Sequence, residues 1–373
     1  MAGIQNIIMV HKSRGLKKLH LIKKMEDWQY GFLPAHQLVL MTEELRIKKI
    51  QMGNAKVGLV FNPLSGRIRK HESTIKGVLG KIPGVILREA KTGLEFKETV
   101  DEFLDTKVDL LVIAAGDGTV QGILSHLFTE YDHIDWPILA IIPGGTTNMT
   151  ALDLVKYDDP EDSARRLSQY ISTKPLPILL KKNVLCIEQA GVNKVYGMFF
   201  AVGIIARAVI FSRSGIKKVG ITGEIYSGLI MAVYFAGLLL RRCTGAWAPA
   251  NLTAVKLAGK TFNGPYQFLF VSALNRLLFN TRPYWGQEQE PLHVTFVEKR
   301  KKALRKYISS IWALISGRYA ALKEIDGYHS YNSSVIELAV DDDYIVDGEF
   351  YHAVSQDGPL KISAAGPVTF LTW

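Results

Sequence analysis

A chain of 373 residues, 48% hydrophobic and 21% charged, can bury a large core without covalent staples, and this composition excludes a disordered, collagen-like or low-complexity polymer. Its length suits about two domains of roughly 150 residues each. The 45 basic against 35 acidic residues leave a formal charge of +10, so the surface attracts anions: nucleotide, nucleic acid or anionic lipid.

The two cysteines, Cys186 and Cys243, supply neither a disulfide framework nor a zinc site, which points to a reducing, cytoplasmic setting. At the N-terminus an apolar patch, Ile4 to Val10, precedes the basic His11, Lys12, Arg14, Lys17 and Lys18. A secretory signal has the reverse order. Residues 1–55 carry mixed charge and weak periodicity, and form an extension to which the sequence assigns no role.

From Lys56 strands alternate with helices, the pattern of a parallel sheet with crossover helices. The strand Val57 to Phe61 runs into the turn Asn62-Pro63-Leu64-Ser65-Gly66. A helix from about Lys70 to Leu79 and a strand from Val85 to Arg88 follow. The Thr92 hydroxyl then caps a helix reaching Leu104, by accepting from an otherwise unpaired N–H of the first turn. The wholly apolar strand Leu110 to Ala114 ends in Ala115-Gly116-Asp117-Gly118-Thr119. Helix Val120 to Phe128, strand Ile138 to Ile142 and the loop Pro143-Gly144-Gly145-Thr146-Thr147 complete the series. Each glycine-bearing loop follows the carboxyl end of a strand, where open α/β sheets place their ligands.

After about Ile187 the texture changes to short apolar runs, glycine turns and period-two alternation, as in Leu292 to Val297, Ser334 to Val340 and Leu360 to Ala364. Two helical stretches interrupt it. Ile225 to Leu240 is 16 residues without charge between Glu224 and Arg241, short of the roughly 20 that span a bilayer and suited to a buried helix. Lys299 to about Leu322 is basic at its start and amphipathic beyond. The expected organisation is an extension (1–55), an α/β domain (56–186) and a mainly-β domain (187–373).

Backbone N–H groups bind phosphate where glycine lets the chain approach closely. The first loop offers a proline turn, a hydroxyl, a glycine and the cation Arg67, and is also an ordinary strand-to-helix turn. The second sets a carboxylate, Asp117, between two glycines at the mouth of a buried strand. Such a group needs a cation, a hydroxyl or backbone N–H groups. The third stacks small residues and hydroxyls before a helix whose N-terminus favours anions, and doubles as a cap.

In this order, Asn-Pro-Leu-Ser-Gly, Gly-Asp-Gly-Thr and Pro-Gly-Gly-Thr-Thr-Asn resemble the diacylglycerol kinase catalytic domain, a superfamily that includes bacterial lipid kinases, sphingosine kinases and ceramide kinases, with NAD kinases as distant relatives. The resemblance covers about residues 56 to 373. It implies an α/β plus mainly-β fold, in which an NAD kinase-like nucleotide-binding domain is followed by an antiparallel β-sandwich, with ATP and the active site between them. It implies nucleotide binding by Asn62, Ser65, Gly66, Arg67, Gly116, Asp117, Gly118, Thr119, Gly145, Thr146 and Asn148, with ATP and Mg2+ as cofactors. Met149 departs from the pattern, since many bacterial diacylglycerol kinases carry an acidic residue there.

Late in the chain, Asp347-Gly348-Glu349 resembles the catalytic motif of the lipid kinases, with Asp347 as general base and Glu349 orienting it or helping to hold magnesium. Asp-Gly is equally a favoured hairpin turn. The Asp341-Asp342-Asp343 run reads as a solvated loop, and His126, His133, His293 and His352 lack ligand-like spacing. A membrane lipid acceptor requires a docking surface. The stretch from Lys299, with Leu304, Ile308, Ile311 and Ile315 on one helical face and Trp312 beside it, fits an anionic bilayer interface, and fits equally a helix packed on the β domain.

The expected activity is phosphoryl transfer from ATP to a hydroxyl of diacylglycerol, ceramide or a sphingoid base. It is exerted at the inner face of the membrane, with no nucleic-acid partner. A soluble-substrate kinase of the NAD kinase type and a non-catalytic nucleotide- or lipid-binding regulator are the alternatives.

Overall fold

The computed structural model describes residues 7–9, 20–22, 35–155, 159–173, 176–215, 250–277, 280–299, 309–310, 312–313 and 316–373. Two short strands, β1 (Ile7–Met9) and β2 (His20–Ile22), pair antiparallel. Next come α1 (Ala35–Met52), β3 (Val57–Phe61), α2 (Glu72–Leu79), β4 (Val85–Glu89), α3 (Gly93–Asp105), β5 (Leu110–Ala115), α4 (Asp117–Glu130), β6 (Ile138–Pro143), α5 (Met149–Leu154) and α6 (Pro160–Thr173). Strands β3, β5 and β6 are buried at every residue, which is why they read as unbroken apolar runs. One face of this parallel sheet packs on α3, α4 and α5 through Phe103, Leu124 and Leu154. The other packs on α2 and α6 through Ile75, Leu79 and Leu167.

The antiparallel half comprises β7 (Ile178–Glu188), β8 (Val195–Gly197), β9 (Phe199–Gly203), α7 (Ile204–Gly215), β10 (Leu252–Leu257), β11 (Lys260–Asn263), β12 (Tyr266–Ser272), β13 (Leu292–Glu298), β14 (Tyr328–Ser333), β15 (Val335–Val340), β16 (Asp342–Val346), β17 (Glu349–Ala353) and β18 (Leu360–Thr372). Six of its strands form a sheet ordered β14-β13-β12-β9-β16-β17. This sheet faces β7, β10, β15 and β18 across a core that includes Phe200, Leu269, Phe296, Leu338 and Ile362. The α/β half followed by an antiparallel sandwich is the fold the sequence led us to expect.

The two halves share one ten-stranded sheet, in which eight strands run in the order β11-β10-β15-β18-β6-β5-β3-β4 and β7, paired with both β18 and β8, branches off this path. Its hinge strand is β18, which runs antiparallel to β7 and β15 and meets β6 in parallel at Phe370 and Leu139. The proposed division between 56–186 and 187–373 cuts β7 near its end.

Two elements differ from expectation. Helix α4 begins at Asp117, not Val120, with Gly116 extended before it (φ −89°, ψ 172°), so the Gly-Asp-Gly-Thr segment is a first helical turn. Tertiary contacts of Asp117 override the weak helix propensity of Gly118. Helix α1 occupies part of the extension. Its Leu38 and Ile50 are buried while Leu40, Met41, Leu45 and Met52 are exposed, so its apolar residues circle the helix and leave no 3.6-residue stripe to read. The 225–240 run and residues 300–308, 311, 314 and 315 of the basic stretch lie outside the described residues, as does Cys243. No helix among the described residues is long and apolar enough to cross a membrane.

Candidate active site

The strand order β6-β5-β3-β4 sends the chain to one side of β3 through α2 and to the other through α3, so a crevice opens at the carboxyl ends of β3 and β5. The three glycine-bearing loops meet there. Asn62 Nδ2 donates to Thr119 Oγ1 (3.1 Å), and Asn62 Oδ1 accepts from the Leu64 N–H (2.9 Å), closing the proline turn. The Arg67 N–H donates to the Gly144 carbonyl (3.0 Å). A Cβ on Gly66 would lie 3.7 Å from Thr146 Oγ1, and one on Gly145 would lie 2.8 Å from the Gly116 Cα. The loops are therefore packed backbone against backbone, and Gly116 and Gly145 are needed for that approach.

Asp117 is buried (8% exposed). Its Oδ2 accepts from Thr147 Oγ1 (2.9 Å) and the Met149 N–H (3.1 Å), and its Oδ1 accepts from the Thr150 N–H (3.1 Å). The N-terminus of α5 is thus already occupied by the protein's own carboxyl group. Asn148, left-handed at φ 50° and ψ 36°, makes no cap bond to α5. Its amide instead clasps Gly145, accepting from the N–H (2.6 Å) and donating to the carbonyl (2.9 Å). Burial raises the Asp117 pKa, and the three donors oppose the rise in part.

The late motif arrives from the sandwich. Strands β16 and β17 pair Val346 with Glu349, leaving Asp347 (φ 48°) and Gly348 (φ 87°) as a two-residue turn with both φ positive, the twist-matched hairpin geometry. The Asp-Gly pair is therefore a hairpin turn, and its position is what matters. Asp347 is 5% exposed; its Oδ2 accepts from the Met198 N–H (2.8 Å) and its Oδ1 from the Phe199 N–H (2.9 Å). Burial holds its pKa well above the ordinary carboxylate value, and the charge of Asp117 raises it further. Glu349 reaches the same place: a Cβ on Gly118 would lie 2.6 Å from Glu349 Oε1. Residues from both halves of the chain thus line one crevice.

Other polar residues are engaged elsewhere. Asp342 receives Arg207 Nη2 at 2.8 Å, Asp343 pairs with His352, and Asp341 accepts from Ser355 Oγ. His126 pairs with Asp101, and His293 with Asn332. Among the described residues no cluster of three or more His, Cys, Asp or Glu stands ready for a metal. A magnesium ion that arrives with a nucleotide needs only one or two carboxylates besides phosphate oxygens and water, and Glu349 at the Gly118 turn fits that need.

Sequence reasoning missed the backbone donors of Met198 and Phe199, because a main-chain N–H carries no residue signature. It also missed Gly197, whose Cβ would come within 2.7 Å of Asp347 Oδ2, and Gln121 and Tyr351.

Residues 56–177 match the family model of the diacylglycerol kinase catalytic domain, so the resemblance carried by the three loops is shown. Among solved structures the chain is similar to a candidate diacylglycerol kinase from Bacillus anthracis str. Sterne, at 17% identity over 85% of this chain and 96% of that one with a TM-score of 0.59. It is similar also to a diacylglycerol kinase from the same organism, at 14% identity over the same shares with a TM-score of 0.54. At these identities the likeness establishes the fold. No curated protein matches. The matched family segment ends before Asp347, so the placing of the late motif rests on geometry.

Proposed function

We propose that the chain is an ATP- and magnesium-dependent lipid kinase that phosphorylates a hydroxyl of diacylglycerol, ceramide or a sphingoid base. The observation that carries this reading is the convergence of Asp347 and Glu349 on the Asp117 turn. Phosphoryl transfer to an alcohol requires positioned phosphates and a carboxylate to accept the hydroxyl proton. The side chains of Ser65, Arg67 and Thr146 are the donors for the nucleotide and the backbone at Gly66 and Gly116 lets it approach closely, whereas Asn62 and Gly145 spend their donors within the loops, on Thr119 and Asn148. Asp117 and Asn148 shape those turns from within. Asp347 takes the acceptor proton as the acceptor oxygen bonds to the γ-phosphorus and the bond to the bridging oxygen breaks, releasing ADP. Magnesium, when bound with ATP, neutralises charge on the transferring group.

Two features favour a lipid acceptor at an anionic membrane surface, on the inner face of the membrane: the +10 charge and Trp312, 60% exposed beside the basic stretch. The test incubates the purified protein with labelled ATP, magnesium and mixed micelles carrying diacylglycerol, sphingosine or ceramide in turn. Label in one of these lipids is the expected result; label in NAD alone, or in none, overturns the reading.

A further inference from the structure

Helix α4 does more than carry Asp117. Asp117, Gln121 and Ser125 follow one another at a spacing of four, on one helical face. Gln121 is buried (5% exposed); its Nε2 donates to the Tyr351 hydroxyl (3.2 Å) and to Ser125 Oγ (3.2 Å). Ser125 Oγ in turn donates to the Tyr196 carbonyl (3.1 Å) and accepts from the Tyr196 N–H (3.0 Å). Tyr351 lies on β17, two residues beyond Glu349, and Tyr196 lies on β8, two residues before Met198. The helix that starts at the nucleotide turn therefore grips both strands that flank the Asp347 carboxylate.

We propose that Gln121, Ser125 and Tyr351 are positioning residues, a polar strut that sets the separation between the nucleotide loops and the Asp347 hairpin. The strut rests on the lipid-kinase reading and names parts of the site beyond it. It spans the junction between the α/β half and the sandwich, and ties β17 to α4 by a directional bond from Gln121 to the Tyr351 hydroxyl.

The test uses the full-length chain and the labelled-ATP micelle assay. Tyr351→Phe removes one hydroxyl and keeps the ring stacked on Tyr344, 5.5 Å away with planes 19° apart. Gln121→Leu removes the amide at similar volume. Each lowers kcat by about 10- to 100-fold, the scale of a misplacement of about 1 Å, with KM for ATP and the thermal midpoint nearly unchanged. The double variant is no slower than the slower single one, because both break one strut. Thr129→Ala, one turn further along α4 with its hydroxyl bonded to the Ser125 carbonyl (2.7 Å), retains the wild-type rate. Unchanged kcat in both single variants overturns the strut, as does a loss of rate matched by a fall in thermal midpoint or a rise in KM for ATP. A wild-type chain that labels no lipid overturns the kinase reading and the strut with it, whereas an active wild type with unaffected variants overturns the strut alone.

Discussion

At Asp347, burial and the charge of Asp117 push ionisation in the same direction, upward. The folded protein therefore holds this proton more tightly than the unfolded chain does. Below the ordinary carboxylate pKa both states are protonated and the site costs nothing; as pH rises from there through the raised value, stability falls. Activity runs the other way, because the base works only when ionised. We expect the acid limb of kcat to lie above the usual carboxylate range, and a pH-rate profile with its limb at an ordinary Asp value would contradict the assignment. Asp347→Asn lowers kcat by roughly 10²- to 10⁴-fold, the worth of a lost base, and leaves ATP affinity, measured by calorimetry, nearly intact. Two glycines separate function from stability. A methyl on Gly118 would lie 2.6 Å from Glu349 Oε1, the end of a flexible side chain, so Gly118→Ala displaces that carboxylate, slows turnover and barely moves the melting curve. A methyl on Gly197 would sit 2.4 Å from Val346 Cγ1 as well as against Asp347. Gly197→Ala therefore lowers both the rate and the stability, the latter by about 1–3 kcal/mol as overpacking does.

Among the elements, local chemistry was legible and remote chemistry was not. Thr92 caps α3 as the sequence led us to expect, its Oγ1 accepting from the Glu95 N–H (3.2 Å), while the Glu95 carboxylate reaches back to the Lys91 N–H (2.7 Å). Partners four or fewer residues apart are decided by neighbouring sequence alone. Thr92→Ala costs about 1 kcal/mol, to be read from the urea midpoint at constant slope. Helix α5 is the opposite case: its first N–H groups find Asp117, more than 30 positions earlier, so no inspection of its own residues predicts its cap. The strands β3, β5 and β6 were legible because full burial demands apolar runs, whereas α1 was hidden because it buries only a narrow side.

For the molecule as a whole, the shared ten-stranded sheet makes the two halves one mechanical body along β18. A buried ion pair supports the junction: Lys182 Nζ on β7 meets Asp153 Oδ2 on α5 at 2.6 Å, with side chains 8% and 2% exposed. Removing one partner strands the other charge, so Asp153→Ala destabilises by about 3–5 kcal/mol in denaturant unfolding. Glu337→Ala, which breaks the exposed pair with Lys256 (3.0 Å), costs no more than about 1 kcal/mol. Equal losses in the two variants would contradict a buried role for the first pair.

Residue periodicity and turn chemistry were enough for the alternating α/β half, the antiparallel half, the three loops and the Asp-Gly turn, because each depends on residues within a few positions of one another. The meeting of Asp347 with Asp117, the Met198 and Phe199 donors and the grip of α4 on β8 and β17 came only with the folded chain. Those contacts join residues from about 70 to 230 positions apart, and such pairs become neighbours through sheet closure and burial, which act on the whole chain at once.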